Sequence, residues 1–155
     1  MGMLAVGTHA PVLTAVDHRG KQVSSKALLE KGPLVVYFYP KDFTPGCTRE
    51  ACMFRDAYAE LDGQGATIVG VSMDDDASHV RFAERFGLPF SLVADPSFAI
   101  ARAWGVARPL GLGAWRVTYV IDHAGVIRGA FHHEVSMSKH VSEVRDLLDR
   151  LRSAA

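Results

Sequence analysis

The sequence predicts an α/β domain: a mixed central sheet with helices on both faces and an N-terminal hairpin added to it. Three observations carry this reading. Two runs rich in β-branched and aromatic residues, 34–39 and 66–73, are each followed by apolar residues at helical spacing, the pattern of buried strands joined through helices. Two further strand-like runs, 117–121 and 126–131, flank Asp122-His123-Ala124-Gly125, which reads as a hairpin connection. An amphipathic helix then follows. The 155 residues fit one domain, 1–155, able to bury roughly two-thirds of its unfolded surface.

Taken in order, residues 12–16 and 22–24 read as short strands joined at Asp17-His18-Arg19-Gly20, where Asp and Gly supply a turn. Ser24-Ser25 caps a brief helix through Leu29, ended by Gly32-Pro33. The strand 34–39 feeds directly into a helix whose apolar face is Ala51, Phe54, Tyr58 and Leu61, ending near Gly63-Gln64-Gly65. After the strand 66–73, Asp74-Asp75-Asp76 offers caps and first-turn negative charge to a helix carrying Val80, Phe82, Ala83 and Phe86, with Gly87 past its end. The triplet lacks the spaced ligands of a calcium loop. A strand at 89–94 precedes Asp95-Pro96, which should start a helix through Trp104 by the rule that Pro suits the first helical position. The Gly-rich segment 105–113 lacks the Lys-Ser/Thr ending of a phosphate-binding loop and reads as a flexible segment or a loop packed near the site. The last helix, about 138–152, places Val141, Val144, Leu147, Leu148 and Leu151 on one face. Strands joined by helical crossovers, then a hairpin and a helix, make a thioredoxin-like arrangement, parallel at the crossovers and antiparallel at the hairpin. The N-terminal hairpin and the unit 89–104 are additions to it.

Charge and composition exclude several functions. Seventeen Lys plus Arg balance seventeen Asp plus Glu without a basic arm or stripe, which argues against nucleic acid and acidic membranes as partners. The longest mainly apolar run, 33–40, is far short of the ~20 residues that cross a bilayer, and the N-terminus lacks the pattern of a signal peptide, so a soluble cytoplasmic protein is expected. Two cysteines are too few for a disulfide-stapled scaffold, and the seven histidines show no spacing that completes a zinc site with them. Neither metal nor other cofactor is expected. His132-His133-Glu134 is read as no metal site, since adjacent strand residues face opposite ways. Trp104 and Trp115 read as packing residues, with Phe43 and Trp115 as candidate shields of a thiolate.

Redox chemistry is left, and both cysteines lie in one segment, Tyr37-Phe38-Tyr39-Pro40-Lys41-Asp42-Phe43-Thr44-Pro45-Gly46-Cys47-Thr48-Arg49-Glu50-Ala51-Cys52. Thr44 is a good N-cap and Pro45 suits the first helical position, so Cys47 falls at the third. Unpaired N–H groups and the positive helix end there favour an anion, and the thiol is expected to ionise below its reference value near pH ~8.5. Gly46 lets the backbone approach a small substrate, and the Thr44 hydroxyl lies one turn back. Cys52 is five positions on, which in an ideal helix separates the Cα atoms by roughly 8–9 Å, beyond the ~7 Å limit for a disulfide. Oxidation to a disulfide therefore requires the first turns to unwind. Peroxide fits such a device: thiolate attack on an O–O bond gives a sulfenic acid, which a second thiol traps before over-oxidation. Charge on the departing oxygen calls for fixed donors, Thr44 and a guanidinium. Arg49 and Arg55 share the helix and Arg116 opens a strand. Arg49 points away from Cys47 by helical geometry, and spacing leaves the choice open.

This segment resembles the active-site segment of the peroxiredoxin Q family, also called the bacterioferritin comigratory protein family. The likeness continues in Val71-Ser72-Met73-Asp74, in Phe82-Ala83-Glu84-Arg85-Phe86-Gly87-Leu88-Pro89-Phe90 and in Arg116-Val117-Thr118-Tyr119-Val120-Ile121-Asp122. The resemblance implies a thioredoxin-like fold and thiol-dependent reduction of hydrogen peroxide or organic hydroperoxides without metal or flavin. It implies Cys47 as peroxidatic and Cys52 as resolving cysteine, joined in an intramolecular disulfide, with Thr44, Pro45 and Arg116 completing the active site and Glu50 orienting the arginine. Thioredoxin or a similar dithiol is the implied reductant, and a monomer is favoured over a dimer. Two other readings compete: a thioredoxin-like disulfide reductase, disfavoured by the absence of Cys-x-x-Cys, and a peroxide-responsive redox sensor that unfolds toward a partner. Steady peroxide turnover with a thioredoxin system separates the enzyme from the sensor.

Overall fold

A computed structural model describes residues 2–154. Its centre is a five-stranded sheet of β3 (Leu34–Phe38), β4 (Thr67–Ser72), β5 (Ser91–Ala94), β6 (Val117–Ile121) and β7 (Ile127–His132), in the order β5-β4-β3-β6-β7. β3 runs parallel to β4 and β4 to β5, and the other two pairings are antiparallel. β1 (Thr14–Val16) and β2 (Gln22–Ser24) form a separate antiparallel hairpin. Every residue of β3 and of β6 is buried, as expected of inner strands covered on both faces.

Side-chain alternation divides the core into two layers. Val35, Tyr37, Ile68, Leu92 and Val120 meet α2 (Pro45–Gly63), α3 (Asp76–Phe86) and α5 (Met137–Ser153) on one face. Leu34, Val36, Phe38, Val71 and Tyr119 meet the hairpin, α1 (Ser25–Leu29) and α4 (Ala99–Ala103) on the other. Tyr37 stacks on Phe54 with ring centroids 4.7 Å apart, fixing α2 against the centre of the sheet. Thus α2 starts at the C-terminal end of β3, beside the first residues of the antiparallel β6.

Most elements lie where the sequence places them: β2 and β6 match, β7 is shifted by one residue, and β1, β3, β4 and β5 are trimmed by one or two. α4 differs more: it begins at Ala99 and not at Asp95-Pro96. The Asp95 carboxylate is buried and accepts the N–H groups of Ile100 and Ala101 at 3.0 and 2.9 Å, so it caps the helix across a turn. That turn is closed by Phe98 N–H on the Asp95 carbonyl. In the 105–113 segment, Pro109–Gly111 forms a single 3-10 turn and Ala107 bridges to Ala114. No described helix is long and apolar enough to cross a membrane.

Candidate active site

Thr44 is the N-cap of α2 and Pro45 its first residue, which puts Cys47 in the first turn as the sequence requires. The Thr44 hydroxyl does not cap the helix but donates to the Lys41 carbonyl at 2.9 Å. Cys47 is 1% exposed, whereas Thr44 and Gly46 are half-buried and Pro45 is exposed, so the thiol lies just beneath a mouth formed by the helix start.

Among the three candidate arginines, the fold selects Arg116. β6 pairs with β3 so that Val117 faces Phe38, and the preceding Arg116 is thereby carried to the start of α2. Its Nη1 donates to Cys47 Sγ at 3.1 Å and stands 3.5 Å from Glu50 Oε1. Arg49 is exposed, and Arg55 donates to the Phe86 carbonyl at 2.7 Å. Gly46 makes room for the guanidinium, because a Cβ there would sit 2.9 Å from Arg116 Nη2. The Arg116 backbone is fixed from the other side, its N–H donating to Glu134 Oε2 at 2.8 Å, while His132 Nε2 meets the same oxygen at 2.7 Å.

The protonation states differ from the sequence expectation. Burial pushes the Cys47 thiol up, opposed by hydrogen bonds from Thr44 and the Lys41 backbone and by the Arg116 charge. The expected lowering at the helix start therefore does not prevail, because a 1%-exposed sulfur loses more hydration than these groups restore. The one Thr44 proton serves the Lys41 carbonyl or the sulfur, not both at once. Burial likewise pushes Glu50 up to about 8, again against Arg116. Glu50 Oε2 has no hydrogen-bond partner and lies 3.5 Å from His140 Nε2. Burial holds His140 down, to about 4, so the ring is neutral. Its Nε2–H points to the His133 carbonyl at 2.8 Å, and the Thr118 hydroxyl donates to Nδ1 at 2.8 Å. The His140–Glu50 approach is thus no ion pair. With Glu50 holding its proton near neutral pH, the Arg116 charge is left for the sulfur as the thiolate forms.

The structure therefore brings Cys47, Glu50 and Arg116 together, with Thr44 and Pro45 at the mouth. Cys52 is not brought to Cys47: both thiols are free, and both lie on one unbroken helix. Phe43 packs on Phe82 and Phe86 of α3, with centroids 5.1 and 6.3 Å away, and Trp115 lies beneath Arg108 and beside His132.

Sequence reasoning missed His140, Thr118 and Glu134, whose contacts are set by the pairing of β6 with β7 and by the position of α5. It also missed a second polar cluster next to the site. Asp75 caps α3, but Asp74 turns inward and accepts from Ser72 Oγ at 2.6 Å and from the Asp42 backbone N–H at 2.8 Å. Asp42, Asp74 and His79 together could suggest a cation site. Their facing atoms are already engaged by Tyr39, Ser72, Ser78 and one another, so they read as an internal network.

Residues 6–130 match the model of the AhpC/TSA family. The chain is 40% identical over 151 residues to the chloroplastic peroxiredoxin Q of Triticum aestivum, covering 97% of this chain and 69% of that protein. Among solved structures it resembles peroxidoxin BcpB of Mycobacterium tuberculosis, with TM-score 0.90 and 32% identity over 96% of this chain and 98% of the other. It also resembles peroxiredoxin Q of Xanthomonas campestris, with TM-score 0.81 and 35% identity over 89% and 90%.

Proposed function

The chain belongs to the AhpC/TSA family, and within it to the peroxiredoxin Q group, and we propose on that basis that Cys47 is its peroxidatic thiol and Cys52 its resolving thiol. It is a thiol peroxidase acting on peroxides. The observation that carries the residue assignment is the buried Cys47 with Arg116 Nη1 3.1 Å from its sulfur.

The reaction begins when the Cys47 thiol gives up its proton and Arg116 holds the thiolate. The sulfur attacks one oxygen of the peroxide, forming an S–O bond as the O–O bond breaks. The departing oxygen takes the electron pair and a proton and leaves as water or an alcohol, with Arg116 and the Thr44 hydroxyl placed to offset its charge. Cys47 is left as a sulfenic acid, oxidised by two electrons. The first turns of α2 then unwind, Cys52 attacks the sulfenic sulfur, and the sulfenic oxygen leaves as water. An external dithiol of the thioredoxin type reduces the resulting disulfide. Hydrogen peroxide and organic hydroperoxides are both accepted in this reading, because the chemistry involves only the O–O bond.

Mass spectrometry after one equivalent of peroxide tests the assignment. A peptide linked through Cys47 and Cys52 is expected. Cys47→Ser should abolish peroxide consumption, and Cys52→Ser should consume one equivalent to give sulfenic Cys47, or two where it goes on to the sulfinic acid. Unchanged thioredoxin-dependent turnover in either variant would overturn the corresponding role.

A further inference from the structure

The unwinding that joins the two thiols needs a fixed point from which α2 opens, and the polar cluster missed by sequence reasoning lies at that point. Asp42 is two residues before the N-cap of α2 and is 3% exposed. Its Oδ1 accepts from the Tyr39 hydroxyl at 2.7 Å, and its Oδ2 accepts from Ser78 Oγ at 2.9 Å and faces His79 Nδ1 at 2.7 Å. The Asp42 backbone N–H is bound to Asp74, itself held by Ser72. His79 is fully buried, and its Nε2 reaches the Val93 carbonyl at 3.2 Å. One proton thus lies between His79 and Asp42, inside a network that ties the loop to α3 and β5.

The next residue, Phe43, has φ 66°, the left-handed region that residues with a Cβ rarely occupy, and its ring rests on Phe82 and Phe86. Beyond Phe43 the restraint weakens: Pro45 and Arg49 are exposed and Thr44, Gly46 and Thr48 are half-buried. The chain is therefore held by the polar network up to residue 43, and from there to residue 50 chiefly by the buried Cys47 and Glu50. None of the cluster's side chains is hydrogen-bonded to Cys47, so the cluster's influence on the thiol passes through the backbone.

We propose that Asp42 and His79 are positioning residues that latch the start of α2 to α3, and that this latch sets how often the first turns unwind after Cys47 is oxidised. The proposal rests on Cys47 and Cys52 being the reacting pair. The unwinding frequency decides the fate of the sulfenic acid. When the turns open, Cys52 forms the S–S bond and water leaves. While they stay closed, a second peroxide oxidises the sulfur by two more electrons to the sulfinic acid, and the peroxide is reduced to water or alcohol. A tight latch favours the first attack and exposes the enzyme to over-oxidation. A loose latch does the reverse.

The test compares the parent with Asp42→Asn, His79→Gln and Ser78→Ala, mixing each reduced protein with excess hydrogen peroxide and quantifying disulfide and sulfinic forms by mass spectrometry. Loss of the buried Asp42–His79 hydrogen bond is expected to raise the unwound population ~10-fold in Asp42→Asn and His79→Gln, lowering the sulfinic-to-disulfide ratio by about the same factor. The rate of first attack should fall several-fold, and amide exchange across 44–52 should quicken. Ser78→Ala removes one neutral donor to Asp42 and should move the ratio ~2–3-fold in the same direction. Val69→Ala, a core change in β4, serves as the control for general destabilisation and should leave the ratio where it is. An unchanged or raised sulfinic share in folded Asp42→Asn or His79→Gln overturns the proposal. If those two fail to fold, an unmoved ratio in Ser78→Ala overturns it instead. Failure of the underlying assignment looks different, since the parent itself would then give no Cys47–Cys52 disulfide.

Discussion

Arg116→Ala is the perturbation that tests the site most directly. It removes the Nη1 donor 3.1 Å from Cys47 Sγ without touching the helix that presents the thiol. A hydrogen bond to a charged group contributes ~1.5–3 kcal/mol, so the thiolate population should fall ~10- to 100-fold wherever the thiol is mostly protonated. In the proposed reaction the same guanidinium also faces the oxygen on which charge develops, and removing one such donor slows chemistry by ~10²–10³. The two effects share one side chain and overlap, which gives an expected loss of ~10²–10³ in the second-order rate of Cys47 oxidation. Because burial already pushes the thiol up against Arg116, the pH profile should also move further toward alkaline pH. Quenched-flow mass spectrometry of the reduced protein with hydrogen peroxide, repeated across pH, measures both quantities. Arg116→Lys keeps the charge but not the planar fork and should fall between parent and alanine variant. A rate for Arg116→Ala within ~3-fold of the parent at every pH would refute the assignment, since such a ratio is under 1 kcal/mol of barrier.

Two further changes probe the surroundings of that arginine. Gly46→Ala places a methyl group 2.9 Å from Arg116 Nη2, and the displaced guanidinium should cost about tenfold in the rate of Cys47 oxidation while the melting temperature holds; an unchanged rate would mean the close approach has no function. Glu50→Gln tests the buried proton. Glu50 is raised to about 8, so the native state binds that proton more tightly than the unfolded chain does. Its stabilising effect is complete below the ordinary value of 4.5 and is lost as pH climbs to about 8. The variant, neutral throughout, should therefore gain stability relative to the parent over that window in urea titrations, and a constant difference would show that Glu50 is not held protonated.

The strands, α2 and the place of Cys47 were legible because each depends on local pattern: a continuous β-branched run, a Thr-Pro start, apolar residues at helical spacing. Arg116 was not legible from spacing, because its approach to Cys47 follows from the register of β6 against β3, which brings residues 69 positions apart within 3.1 Å. The same holds for Asp42 and His79, 37 positions apart and joined only after the β3–α2–β4–α3 crossover has formed. α4 was misplaced for a related reason: Pro96 satisfied a local rule, but the buried Asp95 carboxylate prefers two N–H groups further along the chain. The sign of the Cys47 shift also escaped local reasoning. A helix start favours a thiolate by an amount that depends little on context, whereas burial depends on the whole fold.

That burial has a second consequence along α2. From Ala51 onward the helix is anchored by Ala51, Phe54, Ala57 and Leu61, all of them buried against the sheet and α5. Before Ala51 only Cys47 and Glu50 are buried, and both are groups that burial holds in the neutral form. Unwinding the first turns therefore exposes little apolar surface and frees Glu50 to ionise in water, which favours the open state near neutral pH. The boundary between these two stretches falls at Ala51, one residue before Cys52. If Cys52 resolves Cys47 as proposed, the resolving thiol sits at the edge of the part that stays folded, where an unwound segment carrying Cys47 would fold back and meet it. A helix packed uniformly along its length would hold the two thiols apart; this one has less buried apolar surface on the stretch that carries Cys47 than on the stretch from Ala51 onward, the asymmetry that the proposed disulfide requires.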